Sequence, residues 1–237
     1  MNRSPIKAVF FDVGSTLIDP HPNIDSTFYS VAKKRGHSVS LGEITSQLEA
    51  VNAFYEAEYL KDGDFWCSPV GSVEIYLEMY RYLAHLVGLE KDAEGIAYGV
   101  NEAYQSPENW MIYDDVIECL AELKKRHYVL AIVSNWSSNL TNLMRGLRLA
   151  PYFSEIISSA DVGYRKPDPM IFKLTLERLS LFPHEVIHVG DRLDADGEGA
   201  AKSGVAPCII DRFEYCHKTQ FARITSLSEL PLYVASC

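Results

Sequence analysis

Three short apolar runs are spread widely along the chain, at residues 8–11, 129–133 and 186–189. Each is rich in β-branched or aromatic residues and ends at a small or polar residue. That pattern is typical of a strand buried on both faces of a parallel sheet. Two weaker runs, 156–157 and 208–210, follow the same pattern.

Amphipathic stretches alternate with these strands. Residues 116–125 place apolar side chains at 116, 117, 120 and 123, and residues 170–179 repeat that helical spacing. Alternation of strands and helices predicts an α/β fold, with a Rossmann-like parallel sheet covered by helices on both faces.

The stretch from residue 19 to 104 interrupts that alternation. It contains no convincing strand and predicts helices at 24–34, 41–60, 70–87 and 92–104. Eight of the fourteen tyrosines lie there, which we interpret as the aromatic core of a helical bundle. We therefore predict an α/β core at residues 1–18 and 105–237, with an inserted α-helical cap at 19–104. Such insertions commonly act as lids.

Composition limits the class of protein. Of the 237 residues, 47% are hydrophobic and 23% charged, which is ordinary globular usage. A net charge of −10 argues against a nucleic-acid partner, because phosphate contacts need a basic surface. No apolar run reaches membrane-spanning length or resembles a signal peptide, so we expect no membrane association and a cytoplasmic location. The odd cysteine count without a CxxC pair indicates reduced thiols.

The ends of the predicted strands carry the candidate chemistry. In an open α/β sheet, ligands bind outside the carboxyl ends of the strands. The three best strands end at Asp12, at Ser134-Asn135 and at Asp191, and Lys166 precedes Pro-Asp-Pro between the last two. Carboxylates, a hydroxyl and an ammonium group at one edge predict a site for Mg²⁺ and a phosphate.

This arrangement resembles the haloacid dehalogenase-like hydrolase superfamily from residue 7 to about residue 211. Its four motifs occur in order as Asp12-Val-Gly-Ser-Thr16, Ser134 after an apolar strand, Lys166 before Pro-Asp-Pro, and Gly190-Asp191 with Asp196. Each motif alone is weak evidence, whereas four in order at strand ends are strong evidence. The insertion lies where the superfamily carries its most common cap, an α-helical bundle.

The resemblance implies roles for these residues. Asp12 would be the nucleophile, attacking phosphorus to form an aspartyl-phosphate that water then cleaves. The implied catalytic residues are Asp12, Ser134 and Lys166; the substrate-binding residues are Thr16, Asn135 and Lys166; and the Mg²⁺ ligands are Asp12, the Gly14 carbonyl, Asp191 and Asp196. The implied substrate is a small phosphorylated metabolite.

One position departs from the superfamily pattern. Its phosphatases carry a second aspartate two residues after the nucleophile, which protonates the leaving group, whereas this chain has Gly14. Glycine still provides a backbone carbonyl for a metal but provides no acid. General acid–base assistance is typically worth ~10²–10⁴-fold. We therefore expect poor turnover of alkyl phosphates and better turnover of esters with good leaving groups.

Three other readings stay open. A metal-free 2-haloacid dehalogenase also lacks that aspartate, although the Asp191/Asp196 pair favours a metal. A non-catalytic phosphate- or metal-binding protein would also explain Gly14. A phosphonate-cleaving member would use a cap lysine, for which Lys33, Lys34 and Lys61 are available, although solvation of the surface is the commoner role of such lysines.

His184-Glu-Val-Ile-His188 matches the HExxH zinc pattern. That motif needs a helix, so that both imidazoles share one face. Here Pro183 precedes the motif and residues 186–189 are predicted as a strand, which argues against zinc. Trp136, which follows the Ser134 loop, is a candidate to line the site, with core packing as the alternative.

Overall fold

The computed structural model describes residues 5–61, 64–214 and 219–237. The chain forms two compact units, one of Met1–Asp19 with Ile112–Cys237 and the other of Pro20–Met111. The second boundary lies later than the sequence placed it, because the last helix of the inserted segment runs to Gln105 and a short strand, Trp110–Ile112, follows.

The strands of the described residues, numbered in chain order, are β1 (Ala8–Phe11), β2 (Ile18–Pro20), β3 (Trp110–Ile112), β4 (Val129–Ser134), β5 (Glu155–Ser158), β6 (Val186–Gly190), β7 (Ala206–Ile210) and β8 (Ala222–Ile224). Six of them form one sheet in the order β5-β4-β1-β6-β7-β8, and each neighbouring pair is parallel. The α/β prediction of a Rossmann-like parallel sheet is confirmed. The short strands β2 and β3 pair separately and were not predicted.

The central strand β1 shows why the sheet could be predicted from the sequence. All four of its residues are fully buried, so the strand appears as a continuous apolar run. Its register places Phe11 beside Ile132 on one side and beside Val189 on the other. The carboxyl ends of β4, β1 and β6 are therefore adjacent at one edge of the sheet.

The helices, in chain order, are α1 (Ile24–Lys34), α2 (Leu41–Thr45), α3 (Leu48–Lys61), α4 (Gly71–Leu86), α5 (Ala93–Gln105), α6 (Val116–Lys125), α7 (Leu140–Gly146), α8 (Ser159–Val162), α9 (Pro169–Leu179), α10 (Gly199–Lys202) and α11 (Leu230–Ser236). The predicted bounds of α1 and α6 agree with the structure. The predicted single helix at 41–60 is wrong, because the chain breaks into α2 and α3. The Ser46 hydroxyl donates to the Glu43 carbonyl at 2.7 Å, and such local bonds compete with helix continuation.

The unit Pro20–Met111 has its own apolar core, which includes Phe28, Leu83 and Ile96. Partly buried aromatic residues pack against it, among them Tyr29, Tyr55, Tyr76, Tyr82 and Tyr104. This agrees with the interpretation of the tyrosines as an aromatic core. Lys33, Lys34 and Lys61 are exposed.

No helix in the described part of the chain is long and apolar enough to cross a membrane. Among the described residues, Cys67, Cys119, Cys208 and Cys237 form no disulfide. Cys216 lies outside the described residues.

Candidate active site

Asp12 stands directly after the central strand, at the edge predicted to bind ligands. Its backbone N–H donates to the Val189 carbonyl at 2.8 Å, which extends the pairing between β1 and β6 by one residue. The side chain is buried, with 8% exposure. Since β4 ends at Ser134 and β6 at Gly190, the residues predicted from three separate motifs come together around Asp12.

Lys166 links two of the carboxylates. It is 1% exposed, and its ammonium nitrogen Nζ donates to Asp12 Oδ1 at 2.6 Å and to Asp196 Oδ1 at 2.5 Å. The Ser134 hydroxyl donates to the same Asp12 oxygen at 2.9 Å. Ser134 and Lys166 therefore fix the orientation of the Asp12 carboxylate through one of its two oxygens.

Asn135 contacts Lys166 through its side chain. Its Nδ2 donates to the Lys166 carbonyl at 2.9 Å, and the Lys166 N–H donates to Asn135 Oδ1 at 2.7 Å. Both ends of the amide are used, so Asn135 positions the Lys166 backbone, a contact that the sequence did not reveal. Thr16 is fully buried, and its hydroxyl has no hydrogen-bond partner among the described residues.

Asp196 reaches the site from a π-helical turn, Leu193–Glu198. Its Oδ2 accepts from the Arg192 N–H at 3.0 Å, whereas Asp194 pairs with the Arg192 guanidinium at 3.1 Å and remains partly exposed. A Cβ added to Gly190 would overlap the Asp196 carboxylate. Glycine at the end of β6 thus gives this carboxylate the space it occupies.

His188 is a member of this site that sequence reasoning missed. It is fully buried in β6, and its Nε2 lies 2.8 Å from Asp196 Oδ1. Burial lowers the pKa of His188, while its contact with Asp196 opposes that shift. Its HExxH partner, His184, lies in a 3₁₀ turn before the strand, so the helix that a zinc motif requires is not formed.

Negative charge is in excess at the site. Asp12, Asp191 and Asp196, here called the acidic cluster, each offer an oxygen within 4.8 Å of the others. Burial raises the pKa of Asp12 and of Asp191; Lys166 opposes both shifts, and the neighbouring carboxylates add to them. Burial also opposes the charge of Asp196, but Lys166 and His188 outweigh it and lower its pKa.

The acidic cluster fits a hard divalent cation. Three carboxylates face one ammonium group, and carboxylate oxygens are the ligands that Mg²⁺ prefers in proteins. Both oxygens of Asp196 already accept hydrogen bonds, which favours contact with a metal through water. Asp12 and Asp191 are the better direct ligands.

Gly14 lies in the turn after Asp12. A Cβ built on it would lie 3.4 Å from Cζ3 of the Trp136 indole, which is ordinary van der Waals contact. Trp136 therefore borders the position where the sequence lacks a second aspartate. The indole is half-buried.

A family model for the haloacid dehalogenase-like hydrolases matches residues 6–204. The chain belongs to the haloacid dehalogenase-like hydrolase family. Its resemblance to that family, inferred from four motifs, is confirmed, and the protein is a hydrolase of this type.

Three comparisons show the range within the family. The chain is 28% identical to haloacid dehalogenase-like hydrolase domain-containing protein 3 of Mus musculus, covering 86% of this chain and 81% of the relative. It is 35% identical to glyceraldehyde 3-phosphate phosphatase of Methanopyrus kandleri, covering 89% of this chain and 86% of the relative. A crystal structure of a dehalogenase is 25% identical, with a TM-score of 0.71 and 97% of both chains covered. Family membership alone therefore does not choose between phosphate and halide chemistry.

Proposed function

We propose that this hydrolase is a Mg²⁺-dependent phosphatase of a small phosphomonoester, with Asp12 as the nucleophile. The observation that carries the proposal is the acidic cluster with its single buried ammonium group. A phosphate dianion is repelled by three carboxylates unless a cation accompanies it. Metal-free halide displacement offers no such reason for the excess negative charge.

The contacts of Asp12 support its role as nucleophile. Ser134 and Lys166 both bind Oδ1, so the carboxylate is oriented while Oδ2 attacks phosphorus. An oxygen–phosphorus bond forms to Asp12, and the bond to the leaving oxygen breaks with its electron pair. Water then attacks phosphorus, releases inorganic phosphate and regenerates the Asp12 carboxylate.

Lys166 and Ser134 have a second task in this mechanism. The buried ammonium and the hydroxyl stabilise the charge on the phosphoryl oxygens, where low exposure to water strengthens their effect. Asp12, Asp191 and the Gly14 carbonyl would bind Mg²⁺ directly, and Asp196 would bind it through water. When bound, Mg²⁺ neutralises negative charge on the phosphoryl group.

Substrate size is inferred from charge and from similarity. A chain with net charge −10 disfavours large polyanions such as nucleic acids. The relative from Methanopyrus kandleri, at 35% identity, is named for a small sugar phosphate. Both observations support a small phosphorylated metabolite as the substrate.

The test is release of p-nitrophenol from p-nitrophenyl phosphate, with Mg²⁺ and with EDTA. We expect turnover with Mg²⁺ and none with EDTA. Turnover is expected in spite of Gly14, because the p-nitrophenolate leaving group needs no proton. Asp12→Asn is expected to reduce kcat by at least ~10³-fold, as loss of a nucleophile does. Asp114→Asn, the same change at an exposed aspartate, is the matched control and is expected to keep wild-type activity.

The role of Asp12 and two of the alternative functions each have their own outcome in this experiment. Wild-type turnover by a folded Asp12→Asn protein would refute the role of Asp12. Release of chloride from 2-chloropropionate in EDTA, without release of p-nitrophenol, would identify a metal-free dehalogenase. Mg²⁺ binding without either reaction would identify a binding protein.

A further inference from the structure

Lys166 lies between two carboxylate oxygens, and each of them has a second polar partner. On one side, Asp12 Oδ1 accepts from Lys166 Nζ at 2.6 Å and from the Ser134 hydroxyl at 2.9 Å. On the other side, Asp196 Oδ1 accepts from Lys166 Nζ at 2.5 Å and lies 2.8 Å from His188 Nε2. His188 therefore occupies at Asp196 the place that Ser134 occupies at Asp12.

The hydrogen bond between His188 and Asp196 runs from the imidazole to the carboxylate. The adjacent ammonium group of Lys166 favours the ionised form of Asp196, and an ionised carboxylate only accepts, so Nε2 is the donor. The other ring nitrogen, Nδ1, has no hydrogen-bond partner among the described residues, although the ring is fully buried. The ring also meets Phe172 edge to face, with 4.9 Å between the ring centroids.

Neither residue needs this hydrogen bond merely to be buried. Without His188, Asp196 would still accept from Lys166 at Oδ1 and from the Arg192 N–H at Oδ2. His188 itself leaves Nδ1 unpaired, which costs free energy in the interior of the protein. An apolar side chain, such as those on either side of it in β6, would avoid that cost. The benefit of a histidine here therefore lies in its effect on Asp196.

The effect on Asp196 reaches Lys166, because two carboxylates compete for one ammonium group. A second donor at a carboxylate oxygen offsets part of its negative charge and so weakens its attraction for the ammonium. Ser134 has this effect at Asp12, and His188 has it at Asp196. Loss of the donor at Asp196 alone would draw Lys166 towards Asp196 and away from the nucleophile.

We propose that His188 is a positioning residue, whose hydrogen bond to Asp196 keeps the Lys166 ammonium shared with Asp12 and beside the phosphoryl group. The inference rests on the proposed phosphatase function, in which Lys166 stabilises the phosphoryl oxygens. His188 acts there only through Asp196. The second histidine of the HExxH match thus serves phosphate binding, not zinc binding.

Three substitutions at His188 separate its hydrogen bond from its burial. Glutamine places an amide nitrogen as many bonds from Cβ as Nε2, so it can still donate to Asp196. The asparagine nitrogen lies one bond nearer the backbone, where Nδ1 stands, and leucine has no donor.

The kinetic readout is kcat for p-nitrophenyl phosphate in Mg²⁺. We expect kcat to fall by about 10-fold to 100-fold in His188→Leu and in His188→Asn, as loss of an outer-shell partner does. His188→Gln is expected to stay within about threefold of wild type, because the donor is kept. Equal losses in the glutamine and asparagine variants would overturn the positioning role.

A stability measurement distinguishes positioning from a structural role. His188→Leu is expected to leave the midpoint of urea denaturation unchanged or to raise it, because it removes the unpaired Nδ1. His184→Leu, at the exposed histidine of the preceding turn, is the matched control and is expected to keep wild-type kcat. A loss of kcat in His188→Leu that only follows a loss of folded protein would assign His188 to the structure.

A binding test separates this inference from the phosphatase proposal. Calorimetric titration with inorganic phosphate in Mg²⁺ is expected to show about tenfold weaker binding to His188→Leu than to wild type, with recovery in His188→Gln. That pattern without turnover by the wild-type protein would refute the phosphatase and keep the positioning role. Turnover by the wild type, with unchanged phosphate affinity in His188→Leu, would refute the positioning role and keep the phosphatase.

Discussion

Two ionic groups in the α/β unit differ in the balance of their charges. In the acidic cluster, three carboxylates share one ammonium group, Lys166. Elsewhere in the same unit, the guanidinium of Arg212 meets the single carboxylate of Asp115. Its Nη1 lies 2.9 Å from Asp115 Oδ2, and its Nη2 lies 2.9 Å from Oδ1.

The Asp115–Arg212 pair is neutral and well bonded. Asp115 Oδ2 also accepts from the Ser226 hydroxyl at 2.7 Å and from the Leu227 N–H at 2.8 Å. Arg212 donates to the Thr16 carbonyl at 2.7 Å and lies over the Tyr113 ring at 4.0 Å. Burial alone would raise the pKa of Asp115, but these hydrogen bonds outweigh it and lower the pKa.

The opposite pKa shifts show what each group does for the folded protein. A lowered pKa means that folding favours the charged form of Asp115, so its charge stabilises the protein. The raised pKa values of Asp12 and Asp191 mean that folding disfavours their charges, whereas Lys166 and His188 lower the pKa of Asp196 and stabilise its charge. A balanced pair therefore favours a structural role, whereas the unbalanced cluster supports the proposed cation site.

The same substitution in both groups gives the sharpest comparison. Asp115→Asn is expected to lower the free energy of unfolding by about 3 kcal/mol, because it leaves the partly buried Arg212 guanidinium without its carboxylate partner. Asp12→Asn is expected to leave that free energy unchanged or to raise it, since it removes a disfavoured charge. Urea denaturation of both variants measures the difference. Equal destabilisation by the two variants would contradict it.

Dependence on pH is a control for the first variant. Because the pKa of Asp115 is lower in the folded than in the unfolded chain, its stabilisation is complete above the unfolded value of about 3.9. It declines as pH falls through the lower folded pKa. The stability gap between wild type and Asp115→Asn is therefore expected to stay constant near neutral pH and to narrow in acid below that value.

Mg²⁺ binding at the acidic cluster is expected to raise the free energy of unfolding by somewhat less than Asp115→Asn lowers it. A ligand at 100 times its Kd adds about 2.7 kcal/mol, which corresponds to a rise in Tm of roughly 5 °C or more for a protein of this size. Thermal unfolding with Mg²⁺ and with EDTA measures this without any substrate. Asp191→Asn is expected to remove most of the rise.

Asp194→Asn is the matched control for that experiment. Asp194 lies three residues after Asp191, but its carboxylate pairs with the Arg192 guanidinium and is not part of the acidic cluster. Its substitution should keep the response to Mg²⁺. An unchanged response in Asp191→Asn, or an equal loss in both variants, would place the cation elsewhere.

The contrast between these regions also explains what the sequence could and could not predict. β1, β4 and β6 were predictable because strands buried on both faces appear as continuous apolar runs. The approach of Asp12 to Lys166 followed from motifs at strand ends. Asp196 was named from the superfamily motif, whereas the π-helical turn that carries it gives no periodic signal in the sequence.

Contacts across the sheet were harder to predict. His188 stands within an apolar strand and matches a zinc motif, so neither pattern shows that its ring meets Asp196. The Asp115–Arg212 pair joins residues far apart in sequence, and no local pattern links them. β2, β3 and β8 have three residues each, too few to show alternation.

The smallest expected effect concerns Gly14. Gly14→Asp adds a carboxyl group two residues after the nucleophile, and on an alkyl ester such as glycerol phosphate we expect kcat to rise by about tenfold. This lies below the ~10²–10⁴-fold range of an established general acid, because a Cβ at position 14 already contacts Trp136 and the new side chain must pass beside it. The backbone accepts a side chain there, since Gly14 does not adopt a positive φ.

Gly14→Asn separates acid catalysis from the effect of side-chain shape, because asparagine is about the same size as aspartate and lacks its acidic proton. It is expected to give no gain, and p-nitrophenyl phosphate is expected to gain little from either variant, since its leaving group needs no proton. The gain in Gly14→Asp should decline as pH rises through the pKa of the new carboxyl group, because only the protonated form donates. An equal rise in Gly14→Asn would mean that position 14 acts through packing against Trp136 and not through a missing acid.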